Sequence, residues 1–398
     1  MSTPVIIEAL RTPRGAAKES GALHGVSPME LLAGQLRGLQ QRTGVDTAEV
    51  ADGVFGCVTQ TGEQGGNIGK TACLLAGWSP TVSAVTINRY CASGLSAVNW
   101  ASQQARDGDT LAVAGGVEMM SRVPMFGDKV PYTTDRALAS QIGFVPPPWS
   151  SDLVATRHGF SRQDCDAYAA LSQARALAAR QRGRARSMLP VCNAQGEVLL
   201  DHDENIRENN SAEKLALLRT VYEPGADGLD AWGLEREPEL GRIAHVHTAG
   251  NAPCMADGAA AVLLGTQAAA SRLGLPVRAR ILAHADACVP LTQTGAVDAT
   301  RKALERAHLT VAEIDLWEVR DSFAAITLHY IHSLGIDLER FNVNGSSIAL
   351  GHPMGATGAM LVSCLLDEME LRGLRYGVAA LPGAFGVATA TVFERIAP

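Results

Sequence analysis

The clearest pattern in the first third of the chain is a strand-like segment followed by a helix-like one and a second strand-like one. Residues 81–87, TVSAVTI, are rich in β-branched side chains and predict a strand. Residues 93–108 predict a helix that ends on Gly108, and residues 110–116, TLAVAGG, predict a second buried strand. This order indicates a βαβ unit, and therefore a parallel sheet covered by helices on both faces.

The same layout returns in the last third of the chain. Residues 310–319 predict a strand, residues 351–373 a helix, and residues 376–396 a final pair of strands. In both parts a strand is followed by small residues that open a helix, which we interpret as a weak internal repeat of layout. Cys91 lies at the first of these junctions and His352 at the second.

The middle of the chain, residues 122–243, has a different character. Residues 145–151, VPPPWSS, contain three prolines, which predicts a rigid, extended stretch. Ser161 and Asp164 fit a capping box, so we expect a helix that runs from there to about Arg182. We interpret this region as an inserted loop domain over the core, where substrate contacts are common.

Composition and charge narrow the possible classes of protein. The 398 residues are 46% hydrophobic and 19% charged, which is typical of a soluble globular protein. The net charge of −7 argues against a general nucleic-acid-binding surface. We find no apolar run near the ~20 residues of a membrane span and no signal-peptide layout. The eight cysteines form no C-x-x-C pair, so we expect reduced thiols and a cytoplasmic protein without a zinc site.

Cys91 is a candidate nucleophile because of where it lies. The N-terminus of a helix stabilises a thiolate, and its free N–H groups can hold a developing oxyanion. Ala92, Ser93 and Gly94 leave room for a substrate to reach the sulfur. The alternative is a buried structural cysteine, and position alone does not decide between them.

His352 lies in a glycine-rich turn, with Pro353 at a plausible first helical position. By itself it could be a turn residue whose hydrogen bonds are satisfied locally. Together with Cys91 at the corresponding junction, it supplies a nucleophile and a base at two helix ends.

Four segments of the chain resemble the thiolase superfamily, close to the β-ketoacyl-CoA and acetoacetyl-CoA thiolases. They are NRYCASGLSAV, AGGVEMMSRVPM, TAGNAPCMADGAAAVLL and NGSSIALGHPMGATGAM. The resemblance implies a five-layer α-β-α-β-α fold with two similar halves and a loop domain, and a homodimer or a dimer of dimers. It implies that Cys91 accepts the acyl group, that His352 activates it, and that a coenzyme A thioester is the substrate, with no permanently bound cofactor and no metal.

We place the domain boundaries accordingly. The N-terminal half, with Cys91, comprises residues 1–121 and 244–272. The loop domain is residues 122–243, and the C-terminal half, with His352, is residues 273–398.

Three departures from the family pattern concern the chemistry. Thiolases normally carry a second cysteine in the last strands, which exchanges a proton with the α-carbon of the acyl-CoA. Here residues 379–390 read AALPGAFGVATA, with no cysteine after Cys364. Where the family has Asn-Glu-Ala-Phe, Arg320 replaces the asparagine and Asp321 the glutamate, whereas the phenylalanine is retained as Phe323. The family's Asn-Ala-Ser-Gly is Asn-Ala-Pro-Cys, so Pro253 and Cys254 replace a pantetheine-contacting serine and a glycine.

These departures suggest further candidate residues. Arg320 is suited to hold a carboxylate, or else forms a salt bridge with Asp321 or Glu118. Cys254 could take over proton transfer or simply fill space. We predict that three further residues support the oxyanion or the turn: Gly383, Gly386 and Glu118. We predict that another three contact the substrate: Phe323, Pro253 and Met120.

Two further groups have weaker claims. Five arginines of the loop domain could contact the phosphates of coenzyme A, or form a solvated face: Arg175, Arg180, Arg182, Arg184 and Arg186. His245 and His247 have the spacing of a metal-binding pair, but without a third ligand in view we reject a metal site.

We therefore expect a thiolase-like acyltransferase that forms an acyl-Cys91 thioester and passes it to a second substrate. The missing second cysteine favours a specialised Claisen-type condensation, for example with a decarboxylating malonyl thioester, or another acyl transfer. Alternatives are an ordinary degradative β-ketoacyl-CoA thiolase, an acyl-thioester hydrolase, and a non-catalytic subunit that binds acyl-CoA.

Overall fold

The computed structural model describes residues 3–105, 109–183, 185–225 and 228–396. The strands within these ranges are β1 (Pro4–Arg11), β2 (Gly15–Ala16), β3 (Val50–Gly56), β4 (Ser83–Ile87), β5 (Leu111–Met119), β6 (Val191–Cys192), β7 (Val198–Leu200), β8 (Ala256–Thr266), β9 (Ala279–Cys288), β10 (Leu316–Val319), β11 (Tyr376–Pro382) and β12 (Val387–Arg395).

The helices are α1 (Pro28–Thr43), α2 (Ile68–Leu75), α3 (Ser93–Gln104), α4 (Arg136–Ile142), α5 (Pro147–His158), α6 (Arg162–Arg182), α7 (Ala212–Ala216), α8 (Leu229–Arg236), α9 (Gln267–Arg272), α10 (Gly295–Ala307), α11 (Ala324–Leu334), α12 (Ser347–Leu350) and α13 (Met354–Arg372).

The strands form one large mixed sheet in the order β10-β11-β12-β9-β1-β8-β5-β3-β4, with β2 beside β8. Strands β6 and β7 form a separate pair. The predicted parallel pairing holds for β3 with β4 and β5, and for β10 with β11. It is wrong for the strands between them, because β8, β1, β9 and β12 pair antiparallel. The two halves of the chain meet where β1 pairs with β9 at Val5 and Ile6.

Three hydrophobic layers explain how the helices cover this sheet. One lies between α1, α2 and the strands of the first half, and another between α10, α11 and the strands of the second half. The middle layer holds α3 and α13, which contact strands of both halves. The chain thus has the expected thiolase fold, with α3 and α13 at its centre.

Most of the predicted elements are confirmed. Strands β4 and β5 and helix α3 lie where the sequence predicted them, although α3 ends at Gln104 and Gly108 lies outside the described residues. Ser161 and Asp164 form the predicted capping box of α6. Helix α13 ends at Gly373, whose φ of 67° is the left-handed conformation that favours glycine.

Two predictions about prolines are wrong. Residues 145–151 are not extended throughout, because α5 begins at Pro147. Prolines at the first two positions of a helix are tolerated, since their missing N–H groups would have no partner within the helix. Pro353 caps α13 and does not occupy its first turn, which begins at Met354. Across the described ranges, none of the helices is long and apolar enough to cross a membrane.

Candidate active site

Cys91 lies in a tight turn between β4 and α3. The preceding residue, Tyr90, has a φ of 49°, an uncommon conformation for a residue with a side chain. Side-chain hydrogen bonds hold this turn, because Asn88 Oδ1 accepts from the Tyr90 N–H at 2.7 Å and Ser93 Oγ accepts from the Arg89 N–H at 2.8 Å. The Cys91 side chain is half-buried and lies just before the first turn of α3.

His352 lies at the corresponding place before α13, and its orientation is well defined. The backbone N–H of His352 donates to Cys254 O at 2.8 Å, and the ring Nδ1 lies 2.7 Å from Thr357 Oγ1. The Thr357 hydroxyl donates a hydrogen bond to Pro353 O at 3.2 Å, so its oxygen accepts one from the His352 Nδ1–H. The neutral ring therefore leaves a lone pair on Nε2, which is buried and has no partner in the described part of the chain.

The charges around His352 favour its neutral form. Burial lowers the pKa of His352 well below its usual value, and the positive charges of Arg320 and Arg14 lower it further. A neutral imidazole with an unpartnered Nε2 can accept a proton.

The turns of Cys91 and His352 are joined by close backbone packing. A Cβ at Gly94 or at Gly56 would lie 2.6 Å from Gly355 O, and one at Gly116 would lie closer still to the same oxygen. Three backbone segments thus approach the first turn of α13 more closely than any side chain would allow. This fixes the start of α3 relative to the start of α13.

Glu118 supports the same region from the end of β5. Its carboxylate accepts from the N–H groups of Val58, Thr59 and Gly355 at 2.9 to 3.0 Å, and from Gln64 Nε2 at 2.8 Å. Burial raises the pKa of Glu118, while these donors oppose the rise. Its partners belong to the turn after β3 and to α13, so it supports the Cys91 turn indirectly.

Arg320 lies at the end of β10, 4% exposed, with its guanidinium in the candidate site. Nη1 donates to Pro382 O at 2.8 Å, and Nε has no partner among the described residues. Burial lowers the pKa of Arg320, opposed by the negative charges of Cys91 as thiolate and of Asp321. The alternative of a salt bridge to Asp321 or Glu118 is wrong. Asp321 instead accepts from Ser172 Oγ and the Ile348 N–H.

The turn between β11 and β12, residues 383–386, contains no cysteine and lies beside the Cys91 turn. A Cβ at Gly383 would lie 3.6 Å from the Ala92 nitrogen. The Gly383 N–H donates to Val387 O at 2.7 Å, so in this conformation it is not free to hold an oxyanion. Gly386 accepts from the Val289 N–H and has a φ of 78°. Both glycines therefore shape the turn.

Phe385, in the middle of this turn, was missed by the sequence analysis. Its ring centroid lies 5.3 Å from those of Tyr90 and Tyr132 and 5.2 Å from that of Phe144. These four rings connect the loop domain to the Cys91 turn. The only available signal was an aromatic residue in a turn between glycines, where no packing partner could be named.

The two cysteines near the site have different surroundings. Cys254 Sγ points to Ile348 O at 3.5 Å, and burial raises the pKa of Cys254. This arrangement favours a space-filling thiol over one that transfers protons. Cys288 is exposed, and its Sγ points to Phe385 O at 3.3 Å.

The predicted substrate-contacting residues are partly or fully covered. Phe323 is buried, and its ring meets the ring of His247 at 5.4 Å in an edge-to-face arrangement. Met120 is buried at the end of β5, and Pro253 is partly buried. Their contact with a substrate stays a prediction.

The loop-domain arginines mostly contact the protein itself. Arg175 donates to the carbonyls of Phe341 and Leu338, and Arg180 pairs with Glu208. Arg186 pairs with Glu8 and Glu370, and Arg182 donates to Asn344. Arg184 lies outside the described residues.

His245 and His247 share one carboxylate that the sequence analysis did not foresee. Asp152 lies 2.8 Å from His245 Nδ1 and 2.7 Å from His247 Nδ1, and Asp230 lies 3.1 Å from His245 Nε2. Within the described ranges no group of His, Cys, Asp and Glu side chains has the arrangement of a metal site.

Comparisons with known proteins agree with this architecture. The model of the N-terminal thiolase domain matches residues 4–229, and that of the C-terminal thiolase domain matches residues 275–395. A 3-ketoacyl-CoA thiolase of Pseudoalteromonas translucida is 37% identical, with full coverage of both chains. One from Vibrio cholerae is 38% identical over 99% of this chain and 100% of its own.

A solved structure leads to the same assignment. The crystal structure of the Bacillus anthracis acetyl-CoA acetyltransferase superposes with a TM-score of 0.85 at 31% identity, covering 100% of this chain and 99% of the other. The chain belongs to the thiolase family of acyltransferases.

Proposed function

We propose that this protein cleaves or forms 3-ketoacyl-CoA thioesters through an acyl group held on Cys91. The observation that carries the proposal is the lone pair on His352 Nε2, which is buried and unpartnered among the described residues. His352 lies just before α13 and Cys91 just before α3, and the first turns of these two helices pack against each other. The broad similarity to 3-ketoacyl-CoA thiolases supports this substrate class. It favours an ordinary thiolase reaction over the specialised reactions that the missing cysteine suggested.

The first half-reaction uses residues that are all present. His352 Nε2 takes the Cys91 proton, and the sulfur attacks the 3-keto carbon of the substrate. The bond between C2 and C3 then breaks, leaving the acyl group on sulfur and its electron pair on the departing acetyl-CoA carbanion. That carbanion takes the proton held on His352 Nε2. His352 then accepts the proton of the thiol of a second coenzyme A, whose sulfur receives the acyl group, and passes this proton to the departing Cys91 sulfur. His352 is the only group we place in a proton-transfer step.

Intact mass spectrometry tests the covalent step. The protein is incubated with acetyl-CoA or a 3-ketoacyl-CoA, and we expect one acyl group per chain. Cys91→Ala should carry none, whereas Cys288→Ser should be acylated like the unmodified sequence, because Cys288 is exposed and lies outside the proposed step. Acylation that survives in Cys91→Ala would contradict the proposal.

The surroundings of Arg320 favour a second candidate, condensation with a carboxylated extender. A buried guanidinium with a free Nε can hold the carboxylate of a malonyl thioester. Loss of that carboxylate as CO₂ leaves the electron pair on the α-carbon, which attacks the acyl carbon and releases the Cys91 thiolate. No base is needed for this step, which accords with the absence of a second cysteine.

Release of CO₂ from malonyl-CoA by the acylated protein tests this candidate. If Arg320 holds the carboxylate, Arg320→Asn should release CO₂ at least about tenfold more slowly, as expected for the loss of a charged partner. The same variant should still be acylated at Cys91. No CO₂ from either protein, together with thiolysis of a 3-ketoacyl-CoA, would reject the extender and retain the thiolase reaction.

We also propose that the chain forms homo-oligomers. Strand β4 is an edge of the large sheet, and Val85 and Trp100 nearby are 44% and 42% exposed. An open strand edge with apolar neighbours can pair with another chain. Light scattering should show a dimer or a larger oligomer. Val85→Lys should weaken this association, whereas Leu371→Lys, at the far end of α13, should leave it unchanged.

A further inference from the structure

A cavity of about 1060 Å³ lies apart from Cys91 and His352, neither of which lines it. Its walls come from the end of α6, the segment at residues 201–206, the end of β1 with the turn that follows, and the inner side of α13. Its size is that of a ligand pocket. Charged side chains make up much of the wall, including Arg11, Arg14, Arg180, Glu318 and Glu368.

Arg14 is the unusual member of this wall. The residue is 0% exposed, and neither Nη1 nor Nη2 has a hydrogen-bond partner among the described residues. Within the described part of the chain, the only hydrogen bond of its side chain runs from Nε to Met360 Sδ at 3.4 Å. A buried cation without acceptors is strongly unfavourable unless something supplies them.

Arg11 adds a third unpartnered donor to the same cavity. Its Nη1 and Nη2 bind Asp203 at 2.8 and 3.0 Å, but Nε has no partner in the described ranges. The Asp203 carboxylate is thereby occupied, and it also accepts from the Arg14 backbone N–H. Asp203 therefore does not satisfy the Arg14 guanidinium.

The charges of Asp203 and Glu318 act on Arg14 at longer range, but no carboxyl of the described wall accepts a hydrogen bond from its guanidinium. Asp367 accepts from Arg278 and Ser187, and Glu368 accepts from Asn344 and Arg372.

Glu318 is 2% exposed with Oε1 unpartnered, and it makes no ion pair with Arg14 within the described part of the chain. Burial raises the pKa of Glu318 to about 8, so near neutral pH this carboxyl is largely uncharged.

We propose that this cavity binds a small oxyanion, a carboxylate or a phosphate group, through the paired Nη1 and Nη2 donors of Arg14. The flat guanidinium presents two parallel N–H groups, which match the two oxygens of such an anion. Arg11 Nε is a further donor on the same wall. Neither Cys91 nor His352 lines this site, although the charge of Arg14 acts on His352, and the proposal does not depend on the function proposed above.

Calorimetric titration of acetate and of inorganic phosphate, in chloride buffer of equal ionic strength, tests this site. We expect saturable binding of one ion per chain for at least one of the two, and the tighter one identifies the chemistry of the ligand. Arg14→Met should weaken binding at least tenfold. Arg180→Met removes a wall arginine already paired with Glu208 and should bind like the unmodified protein.

Three results would overturn the proposal. They are no saturable binding of either ion, equal affinity in Arg14→Met, and loss of binding in Arg320→Asn, which would locate the ion in the other site. Because Arg14→Met could fail to fold, crystals of the unmodified protein soaked in selenate give an independent measurement. An anomalous peak beside the Arg14 guanidinium is expected, and water alone at that place would contradict the site.

Discussion

Arg320 donates a hydrogen bond of 2.8 Å from Nη1 to the carbonyl of Pro382. The sequence analysis predicted a departure from the family pattern at each end of this hydrogen bond, at Arg320 and in the turn that follows Pro382. The two departures from the family pattern are thus in direct contact. Arg320 therefore holds the end of β11 beside the candidate site.

Loss of the Arg320 charge should change the pH dependence of Cys91 acylation. Arg320 lowers the pKa of His352, so Arg320→Asn should raise it. A larger fraction of His352 is then protonated at acidic pH, and the acid side of the rate profile moves to higher pH. Acylation rates measured by rapid-quench mass spectrometry from pH 4 to 8 would show this.

Arg37→Asn, on the exposed face of α1, controls for the change in net charge. An unmoved acid limb in Arg320→Asn, or an equal movement in Arg37→Asn, would contradict the assignment.

Thr357 should matter because it fixes which nitrogen of His352 carries the proton. Thr357→Val removes the acceptor for Nδ1–H, so the ring loses its preferred tautomer and orientation. We expect acylation to slow by roughly 10- to 100-fold, the usual cost of losing such a supporting partner. Thr357→Ser keeps the hydroxyl and should retain most of the activity. Equal rates in the two variants would show that the hydroxyl does not orient the ring.

Gly116 should tolerate no side chain. A Cβ there would meet Gly355 O and would also lie 2.7 Å from Gly56 O, and backbone atoms cannot rotate away. We expect Gly116→Ala to lower the free energy of unfolding by about 3 kcal/mol, at the upper end for overpacking, and to reduce acylation.

Gly34→Ala is the matched control, since a Cβ at this position in α1 meets nothing within 4 Å. It should leave stability unchanged or raise it by up to about 1 kcal/mol. Urea denaturation measures both, and a stable Gly116→Ala would contradict the packing.

Glu318 should make the protein less stable as the pH rises. Its carboxyl has a folded-state pKa of about 8, above its ordinary value, so the folded state holds this proton more tightly than the unfolded state does. Its contribution to stability is therefore fully present below about pH 4.5 and is lost as the pH rises towards 8. Glu318→Gln removes this dependence.

The difference in free energy of unfolding between Glu318→Gln and the unmodified protein should be a few kcal/mol more favourable to the variant at pH 8 than at pH 5. This magnitude follows because one pKa unit corresponds to about 1.4 kcal/mol. Urea denaturation at both pH values measures the gain. A difference that does not change with pH would show that Glu318 titrates normally in the folded protein.

The local parts of the fold were readable from the sequence. Helix caps and β-branched runs act over a few residues, so β4, α3, α6 and α13 could be placed. The proline-rich segment was misread because proline fits both an extended chain and a first helical turn. Only packing of α5 against the rest of the loop domain, around the buried Trp149, decides between them.

The candidate site was predictable to the extent that its residues lie in recognisable motifs. Cys91 and His352 were found in this way. The environment of Arg320 could not be predicted, because Pro382 O, which accepts its hydrogen bond, lies on a strand 62 residues away along the chain. The unpartnered Arg14 was missed for the same reason, since a missing partner is visible only once the surrounding atoms are placed.

The meeting of Gly56, Gly94 and Gly116 at one carbonyl has a consequence for how this enzyme can change over evolutionary time. Cys91 and His352 lie on backbone segments that cannot shift independently, so the separation of these two proposed reacting groups is inherited as a unit. Arg320 and Phe385 approach from outside that contact, on the end of β10 and on a turn. Exchange of those two neighbours would therefore change the surroundings of Cys91 and His352 without changing the separation between them.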